Sequence, residues 1–231
     1  MLHRVEHLRG YHVLTGSGTI GHVRDFYFGE EDWDVRYLVV VTGRILPGRV
    51  VFISPIVLQQ PDPRTRTLTI ELSIGELRSR VAGSQRMLSC HQLQLQHYGA
   101  CAAPDFGSRA VVSEAAPLPE ESPEEPNLRG TRDVLGRHIW GQDGILTRLE
   151  DLLVDDESWI VRYLVAGGDG QGKFLLSPKW LEAADWLEGK LYVPFSRETV
   201  LRSPSFDPAR PVTRSYEESL FNHYSRLKYW I

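Results

Sequence analysis

Two nonapeptides, WDVRYLVVV at Trp33–Val41 and WIVRYLVAG at Trp159–Gly167, repeat one pattern 126 residues apart in a chain of 231. Either a functional site occurs twice, with Arg36 and Arg162 as its obvious charged members, or one structural strand does. Extending the comparison outward decides between them. Tyr11–Val41 lies on Arg137–Gly167 without a gap, and ten positions are identical. They are His12/His138, Gly18/Gly144, Asp25/Asp151, Glu31/Glu157, Trp33/Trp159, Val35/Val161, Arg36/Arg162, Tyr37/Tyr163, Leu38/Leu164 and Val39/Val165. After a loop three residues shorter in the second copy, VVFISP (Val50–Pro55) answers KFLLSP (Lys173–Pro178), and LTIELS (Leu68–Ser73) answers LYVPFS (Leu191–Ser196). Self-similarity over so long a period points to a duplicated domain, because solenoid repeats are much shorter.

Each copy reads as β-structure. VRDFYF (Val23–Phe28) and the first nonapeptide are rich in β-branched and aromatic residues and flank the polar cluster GEED, which predicts a hairpin. With Phe28 facing Trp33 across that turn, Asp25 falls opposite Arg36, and by the same pairing Asp151 falls opposite Arg162. Opposed charges of this kind contribute roughly 0.2–1 kcal/mol to a sheet, so the repeated arginine reads as a cross-strand staple rather than an anion-binding group. Further short strands are expected at Arg49–Ile53, Thr67–Leu72, Lys173–Leu176 and Lys190–Phe195. Several short, closely spaced strands per copy imply a mainly β chain of two small barrels or sandwiches, closure being one way to remove exposed edges.

The expected domains are 1–107 and 131–231. The segment between them, Ser108–Gly130, has four prolines, five glutamates and no aromatic residue, the composition of an extended acidic linker. Near the C-terminus, Ser215 and Glu218 fit a capping box, and Tyr216, Leu220, Phe221 and Tyr224 share one helical face. A helix is therefore expected from about Tyr216 to Tyr224. Tyr229, Trp230 and Ile231 beyond it are too apolar to stand in solvent and form the candidate interaction surface.

Composition bounds the function classes. The chain is 42% hydrophobic and 24% charged, with a formal net charge of -4 and a pI near 6.1. A dedicated duplex binder usually carries a basic stripe and a high pI, so nucleic acid is an unfavoured partner. The first residues lack an apolar core of signal-peptide length, no apolar run reaches 18 residues, and two cysteines make no disulfide framework; a reduced, cytoplasmic protein is expected. GGDGQGK (Gly167–Lys173) lacks phosphate-loop spacing and reads as a flexible hairpin loop. Cys90, His91, His97 and Cys101 do not have knuckle spacing for zinc, and no nucleophile motif is present, so neither catalytic residues nor a metal or cofactor is assigned.

The segments IGHVRDFYFGEEDWDVRYLVVVTG followed by VVFISP, and LTRLEDLLVDDESWIVRYLVAGG followed by KFLLSP, resemble the PRC-barrel family. That family includes the cytoplasmic domain of the photosynthetic reaction centre H subunit and the C-terminal domain of the ribosome maturation factor RimM. FSRETVLRSPSFDPARPVTRSYEESLFNHY is similar to the tails of stand-alone bacterial tandem PRC-barrel proteins. The resemblance covers nearly all of the chain outside the linker. It implies two PRC-type barrels with a C-terminal helix. The duplicated β-domain, the apolar C-terminus and the missing active-site constellation lead to the expectation of a non-enzymatic scaffold or adaptor for a protein partner, assembling as a dimer. By analogy with particular members the resemblance also implies ribosome or RNA association, or an accessory role, through peripheral contact, at a membrane electron-transfer complex.

Overall fold

The computed structural model describes residues 1–43, 50–73, 75, 112–115, 127–168 and 171–230. The chain is mainly β. Its strands are, in order, β1 (Leu2–Arg4), β2 (His12–Thr15), β3 (Gly18–Gly29), β4 (Val35–Thr42), β5 (Val50–Ile53), β6 (Thr67–Thr69), β7 (Val112–Ala115) and β8 (Leu128–Gly130). Then follow β9 (His138–Gly141), β10 (Gly144–Asp155), β11 (Val161–Gly168), β12 (Gln171–Leu176), β13 (Ala183–Asp185), β14 (Lys190–Tyr192) and β15 (Ser205–Phe206). One sheet runs β6-β2-β3-β4-β5-β7 with β8 added on β3. The other runs β13-β14-β9-β10-β11-β12-β15 with β1 added on β10. Among the described residues neither sheet is closed.

The elements recur at the spacing of the sequence repeat. β1, β2, β3 and β4 begin and end 126 residues before β8, β9, β10 and β11, and the short helix Val5–Leu8 precedes its counterpart Thr131–Val134 by the same interval. Ser54–Pro55 and Ser177–Pro178 each end a strand and start a 3₁₀ turn, Pro55–Val57 and Pro178–Trp180. Proline suits the first position of such a turn, where its missing N–H is not needed.

The hairpin turns differ from the four-residue loop that the sequence predicts. Trp33 and Trp159 are not strand residues but sit in the left-handed region, at φ 60° and 53°. Gly29 N–H donates to the Asp34 carbonyl and Trp33 N–H to the Gly29 carbonyl, so the turn spans Gly29–Asp34 and pairing resumes at Phe28 with Val35. A left-handed residue with a Cβ costs about 1–2 kcal/mol. Burial of the Trp33 ring and its stacking on Phe28, at 4.8 Å, offset that cost.

Two bulges per hairpin complete the change of register. In β3–β4 they fall between Val23 and Asp25 and between Tyr27 and Phe28; in β10–β11, between Leu149 and Asp151 and between Leu153 and Val154. Asp25 is therefore opposite Val39, and Asp151 opposite Val165. The expected pairs Asp25–Arg36 and Asp151–Arg162 do not form. Arg36 and Arg162 are themselves the extra residues, since Val35 pairs with Phe28 and Tyr37 with Tyr27, while Val161 pairs with Val154 and Tyr163 with Leu153. A bulge leaves its extra residue out of the ladder and re-aims its side chain.

The chain divides into two compact units, and neither is a continuous stretch. The first-copy unit is His7–Thr131 with Asp156–Trp159. The second-copy unit is Met1–Glu6, Arg132–Asp155 and Ile160–Ile231. The bounds expected at 1–107 and 131–231 therefore shift: β1 pairs with β10, β8 of the expected linker pairs with β3, and the turn Asp156–Trp159 belongs to the first-copy unit. The expected linker also carries structure at both of its ends, because Val112–Ala115 pairs with β5 and Leu128–Gly130 with β3. Backbone pairing on a sheet needs no apolar side chains, which is why composition does not reveal it. Residues 108–111 and 116–126 of the expected linker lie outside the described residues.

In the first-copy unit both faces of β4 and β5 are buried: Leu38, Val40, Val51 and Ile53 on one, and Tyr37, Val39, Val50 and Phe52 on the other, the latter joined by Leu128. In the second-copy unit Tyr163, Leu164, Val165, Leu175 and Leu176 are buried likewise. The ladder of β11 with β12 continues to Gly168 opposite Gln171, so the glycine-rich stretch is largely strand rather than a flexible loop. The C-terminal helix spans Arg214–His223 and is capped by Thr213, whose hydroxyl accepts from Tyr216 N–H at 3.3 Å; Ser215 and Glu218 lie inside it and make no capping box. A further helix, Arg197–Leu201, starts at Ser196, whose hydroxyl accepts from Thr199 N–H at 3.2 Å.

Candidate interaction site around Glu217

The C-terminal helix turns Leu220, Phe221 and Tyr224 inward. Glu217 lies three, four and seven residues before them and so shares their face. It is only 4% exposed. A carboxylate taken out of water requires hydrogen-bond partners, and Glu217 has three. Tyr163 of β11 donates its hydroxyl to Oε1 at 2.8 Å, Tyr229 donates to the same oxygen at 2.8 Å, and Arg214 Nη1 lies 2.9 Å from Oε2. Burial pushes the Tyr163 phenol well above its ordinary pKa, and the bond to Glu217 adds to the shift; Tyr229 is raised by the same two causes in the same order.

Aromatic rings and guanidinium groups surround this carboxylate. Arg162 lies over the Tyr229 ring at 4.8 Å, and Arg214 lies over the Trp230 ring at 4.3 Å and the Tyr229 ring at 5.7 Å. Phe221 meets the edge of Trp230 at 5.1 Å and of Trp180 at 5.1 Å. Arg162 also pairs with Asp155 at 3.2 Å. Tyr229 keeps 39% of its surface and the Arg214 side chain 53%. Glu217 therefore works as an internal clamp, while the arginine and the two terminal rings present a partly exposed cationic and aromatic surface.

Of the residues singled out from sequence, Arg162, Tyr229 and Trp230 come together here; Ile231 lies outside the described residues. Among the described residues, Arg36 forms an ion pair with Asp32 within its own turn. Asp25 and Asp151 are buried, at 7% and 1%, but engage partners other than the repeated arginines. Asp25 accepts from Arg9 Nη2 at 3.1 Å, from Phe26 N–H at 2.9 Å and from the Thr131 hydroxyl. Asp151 accepts from Arg4 Nε at 2.7 Å, from Glu6 N–H at 3.1 Å and from Leu152 N–H at 2.8 Å. Sequence reading missed Glu217, although its place on the helical stripe was a usable signal: a charged residue at an inward position demands partners.

Among the described residues no group of three or more His, Cys, Asp and Glu side chains is placed to hold a metal ion. Cys90, His91, His97 and Cys101 lie outside those residues. Also among them, no helix is long and apolar enough to cross a membrane. No model of a known protein family matches the chain, and no curated protein matches it.

Proposed function

We propose that this chain is a tandem PRC-barrel protein, a duplicated pair of small β-domains that serves as a non-enzymatic scaffold or adaptor for a protein partner. The recurrence of strands and bulges at one spacing supports the duplication. The observation that carries the adaptor reading is the surface of Arg214, Tyr229 and Trp230. Arginine and large aromatic side chains dominate the energetics of protein recognition when a partner covers them. Here they are held in place from below by Glu217 and Phe221, so little side-chain entropy remains to be lost on binding.

The test is affinity capture of the full chain after crosslinking, beside Trp230→Ala, with size-exclusion chromatography and light scattering on both. The expected result is a partner protein, or a second copy of the chain, retained by the parent and lost by the variant. A parent that elutes as a monomer and retains no protein, or a variant that retains the same one as strongly, overturns the proposal.

A further inference from the structure

The two leading strands are exchanged. β1 does not pair with its own copy but with the long strand of the other, Leu2 opposite Asp155, His3 opposite Val154 and Arg4 opposite Leu153. Its counterpart β8 does the same in the first-copy unit, with Leu128 opposite Gly29, Arg129 opposite Phe28 and Gly130 opposite Tyr27. These registers coincide when either is moved by the repeat length. The chain then passes from one unit to the other inside or at the start of a short helix, between Glu6 and His7 and between Thr131 and Arg132.

Each exchanged strand delivers polar partners to a buried aspartate of the sheet that it joins. Arg4 and the Glu6 N–H supply two of the three donors at Asp151. The Thr131 hydroxyl, itself accepting from Arg9 at 2.9 Å, supplies one at Asp25. The first-copy unit holds a further piece of the second copy, the turn Asp156–Trp159, where Trp159 stacks on Phe26 at 6.1 Å and its carbonyl accepts from Val35 N–H at 2.8 Å.

From this geometry we infer that each copy depends on the other's leading strand: Leu2–Glu6 is a strap that locks the second-copy sheet, and Leu128–Thr131 locks the first. The tandem arrangement is then obligatory for a complete fold, and a disturbance at the strap of one copy is felt in the other. Release of the Leu2–Glu6 strap leaves Asp151 with Leu152 N–H as its one remaining donor and uncovers the β10 edge from Leu153 to Asp155. The uncompensated carboxylate then favours local opening of β10.

Hydrogen exchange read by mass spectrometry on the full chain tests this. In Arg4→Ala, amides over 149–155 should exchange about tenfold faster, whereas those over 25–29 keep the parent rate. In Thr131→Ala the pattern should reverse, with faster exchange over 25–29 and none over 149–155. Arg4→Lys, which keeps a cation but not the guanidinium geometry, should loosen the same segment by less and serves if the alanine variant does not fold. Loosening of the strands adjacent in sequence (residues 12–29 for position 4), equal loosening of both regions, or no change in any variant overturns the inference.

Discussion

Arg36 and Arg162 occupy one position in two copies of a hairpin, each extruded from the ladder by the same bulge, and among the described residues they pair with different carboxylates. Arg36 closes on Asp32 inside its own turn. Arg162 reaches Asp155 and lies over Tyr229, so it ties the second hairpin to the chain's terminal rings. The difference follows from the neighbours. Asp155 stands where the first copy has Gly29, and Asp32 where the second has Ser158. A bulge fixes where a side chain points, but the residues around it fix what it meets. A repeated arginine therefore meets a different carboxylate in each copy.

Three experiments would break or sharpen this contrast. The largest expected effect is alkaline. The second-copy unit holds Tyr163, Tyr216 and Tyr229, all raised above their ordinary pKa by burial first, and Tyr224, which burial pushes up to about 12. Below the ordinary phenol value near 10 these hydroxyls are neutral in folded and unfolded chains alike, and their stabilisation is fully present. As pH rises from there through about 12, the unfolded chain ionises first at Tyr224 and stability is lost. An alkaline titration should show phenolate absorbance appearing together with faster exchange over 161–176 and 214–224. Phenolate absorbance rising with no change in exchange there would show that these hydroxyls do not hold the second-copy unit.

Next in size is Glu217→Ala, which strands the buried Tyr163 hydroxyl and frees Tyr229 and Arg214. The second-copy unit should lose about 3 kcal/mol in urea unfolding, and a loss too small to measure would show that the clamp is not needed. Smallest is the direct comparison of the two arginines. Arg162→Ala should cost about 1 kcal/mol, through its stacked ring and its carboxylate together. Arg36→Ala should cost up to about 1 kcal/mol, the upper range for an ion pair with a partly exposed carboxylate. A smaller loss at Arg162 than at Arg36 would show that the stacked ring adds nothing.

Much of the β-structure was legible. Strand positions followed from alternating β-branched and aromatic residues, and proline marked the strand ends at Pro55 and Pro178. The register was not legible, for a specific reason. Trp33 looks like a strand residue by type, and only the closure of the turn shows it in the left-handed region, where tertiary burial outweighs local preference. Two residues added to the turn, with the bulge at Arg36, then shift the partner of every residue along the hairpin. The helix was legible by its stripe, although its cap fell at Thr213 rather than Ser215, since both residues satisfy the same chemistry.

The candidate site was half legible. Tyr229 and Trp230 drew attention by being apolar near a terminus, whereas Glu217 was hidden by its charge. By itself the sequence determined that the chain carries one pattern twice, where its strands and C-terminal helix lie, and which faces must be buried, because periodicity and side-chain type are local properties. Tertiary structure alone decided that each leading strand pairs with the other copy's long strand, that Asp25 and Asp151 each take a partner from that strand or the residues just after it, and that Arg36 and Arg162 pair with different carboxylates. Pairing between segments more than a hundred residues apart depends on which backbone edges and buried charges remain unsatisfied after each copy has folded locally, and no local pattern encodes that remainder.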